Sequence, residues 1–367
     1  MPQTPLYATH EQLGATFTDF GGWTMPLKYA NELDEHRAVR NGVGIFDLSH
    51  MGEITVTGPD AGAFLDYALI SNLSALKVGK AKYSMIVNEK GGILDDLITY
   101  KRSENEYLVV PNAANTDVVW DAFQARAGDF DVELTNDSQS YALVAVQGPG
   151  ALEVLRPLLD SDPDELAYYS GASMRLAPQA GAGAEAADPV EVFVARTGYT
   201  GEDGFELFSS FDDAQAVWDA VIGGGTPCGL AARDSLRLEA SMPLYGHELT
   251  TDITPVEAGM GRAFAKKEAN FVGKDALSGR EPEVVIAGLT AQGGRAAREG
   301  SEIFIAGGER IGVVTSGQPS PSLGHPIALA HIDPAHAQEG TEVEVDIRGR
   351  RYPFTISATP FYSRKDA

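Results

Sequence analysis

Two adjacent aspartates are the first residues in this chain with the means to move a proton. Asp95 and Asp96 lie between Lys82 and Tyr100, where two apolar runs flank the polar turn Asn88-Glu89-Lys90-Gly91-Gly92. That pattern predicts a β-hairpin. Side chains alternate along a strand, so the two carboxylates point to opposite faces. One shares its face with Ile93 and Leu97, the other with Leu94, Ile98 and Tyr100. Both faces are apolar, so at least one carboxylate is driven into a half-buried setting, where burial raises its proton affinity. A proton-transfer group and a structural ion pair both fit. A second segment, Arg196-Thr197-Gly198-Tyr199-Thr200-Gly201-Glu202-Asp203-Gly204-Phe205-Glu206-Leu207, packs three glycines, a tyrosine and three acids into one loop. Glycines at that density mark a backbone that turns sharply or comes close to another group. A third, Gly229 to Ala240, is a run of helix formers with Arg233 and Arg237 four residues apart on one face. Ion pairing within the helix and an arginine aimed at a ligand are both open readings.

Those residues need a scaffold, and the chain shows one that changes character near residue 280. Ile54–Thr57 leads into Gly58-Pro59 and an amphipathic run from Asp60 to Ile70; Val144–Gln147 leads into Gly148-Pro149 and a run to Leu159. Each reads as strand, tight turn and helix, and together they hint at a duplication. A further helix is predicted from Asp212 to Ile222, with Phe211, Ala214, Val217, Trp218 and Val221 on one face and Gly223-Gly224-Gly225 at its end. Residues 178–189, rich in Ala and Gly, read as an exposed loop. Beyond them Val284–Leu289, Glu302–Ala306, Ile311–Ser316, Ile327–Ile332, Glu342–Ile347 and Tyr352–Ile356 predict six short strands, as in a small barrel or sandwich. The fold class expected is therefore α+β with a C-terminal all-β domain.

Composition narrows the partners. The 367 residues carry 52 acids against 28 bases, a net charge of −24. Such a polyanion does not bind nucleic acid through its bulk surface, which takes clustered Lys and Arg. With ten Lys to eighteen Arg, the balance fits a protein kept soluble in concentrated salt, so a salt-adapted host is expected. The single cysteine, Cys228, excludes internal disulfides and reads as a small buried side chain. No phosphate loop, dinucleotide fingerprint, HExxH or GxSxG motif is present, and the seven histidines show no metal-like spacing. No metal, membrane span or signal peptide is expected, and the location expected is cytoplasmic.

Many short segments in order then carry a specific resemblance. They are Thr4–Tyr7, Asp19–Leu27, Phe46-Asp47-Leu48-Ser49-His50-Met51-Gly52, Gly91–Leu97, Gln147-Gly148-Pro149, Thr197–Glu206, Gly229–Ala240 with Leu244-Tyr245-Gly246, and Thr315–Gly324. In these the chain resembles, nearly end to end, the T-protein family of the glycine cleavage system, the folate-dependent aminomethyltransferases. The resemblance implies three domains in a cloverleaf around a central folate-binding opening. It divides the chain into residues 1–50 with 138–240, residues 51–137 with 241–280, and a barrel-like domain over 281–367. It assigns the catalytic carboxylate to Asp96 and the folate site to Asn112, Tyr199, Glu206 and Arg233, with Met51 and Tyr83 completing the walls. It also implies tetrahydrofolate as acceptor and the lipoyl arm of an H-protein as donor. Pro111, just before Asn112, departs from the family pattern and puts local strand pairing in doubt. Relatives of this fold that demethylate other donors, or bind folate to support RNA modification or iron–sulfur assembly, are the alternatives.

Overall fold

A computed structural model describes residues 1–177 and 188–365. The predicted loop over 178–189 lies outside them but for its last two residues. The chain separates into two compact units, one of residues 1–65, 73–84 and 97–233, the other of residues 66–72, 85–96 and 234–367.

The first unit holds a six-stranded sheet in the order Gly171–Leu176, Val190–Ala195, Gly204–Ser210, Tyr141–Gln147, Gly44–Asp47, Thr226–Pro227. Alternation along its strands sends Val144, Val146, Val192, Val194, Phe205 and Leu207 to one face. There they pack with Val217, Trp218 and Val221 of the helix Ala214–Ile222. Each such side chain stabilises the fold by ~1.5–3 kcal/mol. This helix starts later than predicted. Phe211 sits in a one-turn 3-10 segment before it, where the Ser210 hydroxyl accepts from Asp213 N, and is 41% exposed rather than part of the apolar face. The helix predicted to reach Leu159 is also shorter, Ala151–Leu155, because Pro157 has no N–H to continue the ladder.

A five-stranded sheet follows the order Ala81–Val87, Ile93–Ser103, Glu106–Pro111, Ile54–Thr57, Glu133–Asn136, and the division between the units runs through its first two strands. On one side, Phe64 of the helix Ala61–Ala68 meets Phe123 of the helix Thr116–Arg126 edge to face at 5.3 Å. On the other, Tyr100 contacts Phe193 and Phe208 of the six-stranded sheet at 5.5 and 5.8 Å, which joins the two sheets within the first unit. The two Gly-Pro turns behind the hinted duplication share one backbone geometry. Gly58 and Gly148 adopt φ of 126° and 128°, and a Cβ on either would meet a backbone oxygen, of Asp131 or Gly42, at 2.4 or 2.3 Å.

In the second unit the six predicted C-terminal strands all form and close into a barrel, ordered Val285–Thr290, Pro326–Ile332, Arg310–Pro319, Glu302–Ile305, Glu342–Asp346, Arg351–Ser357. Leu289, Ile303, Val314, Ala330, Val345 and Phe354 fill it. Among the described residues no helix is long and apolar enough to cross a membrane. Cys228 is buried as predicted, and burial raises its thiol well above the usual range.

Candidate active site

The glycine-rich segment is shaped by one buried glutamine. Gln147 Nε2 donates to Thr197 O at 3.1 Å, and its Oε1 accepts from Thr200 Oγ1 at 3.0 Å. A Cβ on Gly198 or Gly204 would lie 2.0 or 2.5 Å from that same side chain, and Gly201 turns with φ of 83°. Close approach explains two of the three glycines and a left-handed turn the third. Arg40 ties the loop down through Thr200 O at 2.7 Å and Glu202 at 2.9 Å. Arg196 grips Asp203 with two bonds, at 3.1 and 2.6 Å.

This rigid loop presents Tyr199 and leads into the strand that carries Glu206. Glu206 Oε2 accepts from the Thr197 hydroxyl at 2.5 Å and from Tyr100 at 3.4 Å, and Tyr100 and Thr197 are themselves bonded at 2.9 Å. One carboxylate oxygen is thus fixed by the fold, while Oε1 makes no hydrogen bond with the described residues. Arg233, on the helix Leu230–Glu239, lies over the Tyr199 ring at 5.0 Å. Its Nη1 is sealed from solvent with no hydrogen-bond partner. Burial lowers the proton affinity of this guanidinium, against the pull of Glu206 and Tyr199. A buried, unspent donor costs the fold ~1–3 kcal/mol.

Arg237, one turn on, has the opposite fate. In the second unit it pairs with Asp234 and Glu248 at 2.8 and 2.9 Å and donates to Ser316 Oγ at 2.7 Å. Thr315 donates to Glu248 at 2.6 Å, and Ser320 and Ser322 donate to Glu239 at 2.5 and 2.7 Å. Of the two open readings of this helix, ion pairing therefore describes Arg237, whereas Arg233 keeps a buried Nη1 with no hydrogen-bond partner among the described residues.

Met51 and Asn112 come together through Gly52. Gly52 N donates to Pro111 O at 3.1 Å, and a Cβ there would lie 2.4 Å from Thr116 Oγ1. Pro111 ends its strand opposite Leu97, so its missing N–H falls at the end of the ladder and pairing survives. Tyr83 stands within Ala81–Val87. In the second unit the hairpin turn is closed by Asn88, whose Oδ1 accepts from Lys90 N and Gly92 N at 2.9 and 3.0 Å. Along Ile93–Ser103 burial alternates as expected: Asp95 is fully buried and Asp96 half-buried. The hydroxyl of Tyr245 donates to Ile93 O at 3.2 Å, and burial together with the charges of Asp95 and Asp96 raises its pKa.

All seven predicted residues (Met51, Tyr83, Asp96, Asn112, Tyr199, Glu206 and Arg233) are half-buried. Sequence reasoning missed Thr197 and Tyr100, which hold Glu206, and Tyr169, whose hydroxyl is pushed up by burial, by Tyr168 and by the Glu206 charge. Only the left-handed backbone of Tyr169, φ 58°, marks it out, and no sequence pattern announces that. An open cleft of about 920 Å³ in the first unit, lined by Arg102, Tyr141, Glu191, Phe193 and Ser210, includes none of the seven. Among the described residues no group of three His, Cys, Asp or Glu side chains is arranged to hold a metal ion.

Residues 6–268 match the family described as the GCVT N-terminal domain, and residues 285–363 match the glycine cleavage T-protein C-terminal barrel domain. The chain belongs to the glycine cleavage T-protein family. Relatives of this T-protein family chain include aminomethyltransferases of Corynebacterium aurimucosum, 59% identical over 98% of both chains, and of Streptomyces coelicolor, 53% identical over 99% of this chain and 98% of that one. The crystal structure of the glycine cleavage system aminomethyltransferase T from Bartonella henselae superposes with a TM-score of 0.90 at 37% identity, covering 99% of this chain and 98% of that one. The mixed body followed by a closed six-stranded barrel is the T-protein architecture.

Proposed function

We propose that this T-protein transfers the methylene of an aminomethyl group, carried on the lipoyl arm of an H-protein, to tetrahydrofolate. Ammonia departs, 5,10-methylenetetrahydrofolate forms and the dihydrolipoyl arm is freed. The hydrogens lost from folate N5 and N10 end on the thiol and on the departing ammonium, so the reaction needs no external oxidant or reductant. The observation that carries the reading is the pairing of Glu206, fixed at one oxygen and open at the other, with the buried, unpartnered Nη1 of Arg233. A pterin edge offers an N–H and an amino group side by side with a carbonyl. The carboxylate accepts from the N–H and the amino group, and the guanidinium donates to the carbonyl.

The remaining residues position and exclude. Tyr199, braced under Arg233, and Tyr83 offer flat apolar surfaces, with Met51 and Asn112 completing the wall. Asp96 is the catalytic carboxylate: half-buried on its strand, it orients the reacting folate nitrogens, takes up a proton and stabilises the developing cation. Holding nitrogen and methylene together supplies most of the acceleration, and acid–base help adds ~10²–10⁴-fold. Sheet membership supports the three-domain division: the six-stranded sheet draws on residues 44–47 and 141–227, the five-stranded sheet on 54–136 and the barrel on 285–357. A salt-adapted host is read from the acid-rich, Lys-poor composition, and a cytoplasmic location is proposed with it. The decisive assay follows methylenetetrahydrofolate from aminomethylated H-protein and tetrahydrofolate. Binding without turnover would make the chain a folate-dependent accessory factor, and turnover only with another methyl donor would make it a demethylase.

A further inference from the structure

The strand Gly44–Asp47 ends in a turn fastened without help from the imidazole inside it. Met51 N donates to Leu48 O at 3.0 Å, Ser49 N to Asp47 Oδ1 at 2.9 Å, and Leu143 N to Ser49 Oγ at 3.0 Å. His50 lies within this turn, 2% exposed, and its Nδ1 is buried with no hydrogen-bond partner. The ring is oriented by packing: Phe20, at the tip of the hairpin formed by Thr16–Phe20 and Trp23–Lys28, meets it edge to face at 5.5 Å. That tip is itself seated, because a Cβ on Gly21 would touch Ala114 at 3.3 Å, two residues beyond Asn112. A polar ring held in place by apolar contact, with an open nitrogen, costs the free protein stability and returns nothing to its fold.

Its surroundings are those of the folate site. Met51 is the next residue, and Arg233 is close enough for its charge to act on the ring. Burial, opposed by Asp47 and reinforced by Arg233, brings the imidazole down to about 4. The ring is therefore neutral at working pH, able to accept at one nitrogen. His50 and Arg233 thus hold, within electrostatic reach of each other, one unspent ring nitrogen, which accepts when the proton sits on Nε2, and one unspent donor.

We propose that His50 is a further binding residue of the tetrahydrofolate site, its Nδ1 accepting a hydrogen bond from an N–H of the reduced pterin beside the group that Arg233 holds. The inference rests on the folate reading above, and the experiment keeps the two apart. Tetrahydrofolate is titrated into the wild-type chain and into His50→Leu, His50→Asn and His50→Gln, with melting temperatures recorded for each. His50→Leu weakens binding by about 5–100-fold and leaves the melting temperature at pH 7.5 unchanged or higher, because an orphaned polar atom has been removed. Asparagine, which places an acceptor near the position of Nδ1, recovers part of the affinity, and glutamine recovers less. If wild type and His50→Leu bind equally, the inference falls and the folate reading stands. If wild type does not bind tetrahydrofolate, both fall. If all three variants lose melting temperature in step with affinity, the ring is structural and the inference falls.

Discussion

Replacing Glu206 with glutamine keeps the shape of the side chain and removes one charge from the site. The wild-type carboxylate is held at Oε2 by Thr197 and Tyr100, at 2.5 and 3.4 Å, and both hydroxyls can still donate to an amide oxygen. The fold should therefore tolerate the change, and the loss falls on the ligand. The open Oε1 becomes an NH2 group, so a charged acceptor facing pterin donors is exchanged for a donor. A hydrogen bond to a charged group contributes ~1.5–3 kcal/mol against ~0.5–1.5 for a neutral one. Arg233 also loses the nearby charge that favours its protonated form. Together these effects come to ~1–2 kcal/mol, a rise in the Kd for tetrahydrofolate of ~5–30-fold. Glu206→Ala goes further, because Thr197 and Tyr100 keep only each other and one of their two buried hydroxyls is left without an acceptor, so its melting temperature falls as well. The assay is a fluorescence or calorimetric titration with tetrahydrofolate, with thermal melts in parallel. Affinity within twofold of wild type for Glu206→Gln, or a larger drop in melting temperature for glutamine than for alanine, would refute the reasoning.

Four more expectations can be checked alongside it. Asp96→Asn should slow methylenetetrahydrofolate formation by ~10²-fold or more at saturating folate while binding persists, whereas Asp95→Asn should act mainly on melting temperature; the reverse pattern means the wrong carboxylate has been chosen. Stability should fall as pH drops from about 6.5 to 4, by up to about 3 kcal/mol from His50, because the unfolded imidazole takes a proton there that the folded one, brought down to about 4, refuses; a His50→Leu protein with the same pH slope would contradict this. Glu53 runs the other way, its buried carboxyl raised well above the usual range by burial and by Asp137, so stability is lost as pH rises past the ordinary carboxylate value; Glu53→Gln should melt higher than wild type at pH 7.5, with the gap closing toward pH 4. Melting temperature should climb between about 0.1 and 1 M salt, as screening shortens from ~10 to ~3 Å over a net charge of −24; a flat curve rejects salt adaptation.

Features that depend on neighbours in the chain were legible from the sequence by itself. The six barrel strands, the hairpin around Asn88–Gly92 and the helix bearing Arg233 follow from periodicity and turn chemistry, which act over a few residues. The opposite faces of Asp95 and Asp96 are a consequence of the pleat, and the structure shows one buried and the other half-buried. Pro157 stops the helix Ala151–Leu155 by a local rule that the predicted run to Leu159 passed over. Phe211 was not: its spacing suits the apolar face, and only the 3-10 turn capped by Ser210 swings it outward. Arg233 and Arg237 have the same residue type on the same helical face, and no local rule separates them. What separates them is distant: Ser316, 79 residues further on, and Glu248 take up Arg237, while Arg233 Nη1 is left buried and open. Glu206 was recognisable only as an acid after a glycine-rich loop. Its restraint by Tyr100, 106 residues earlier, and its single open oxygen exist because two sheets from interleaved stretches of chain meet at Tyr100, Phe193 and Phe208. Such contacts are decided by the register and packing of strands far apart in sequence, where the local pattern carries no information about which side chain will find a partner and which will be left for a ligand.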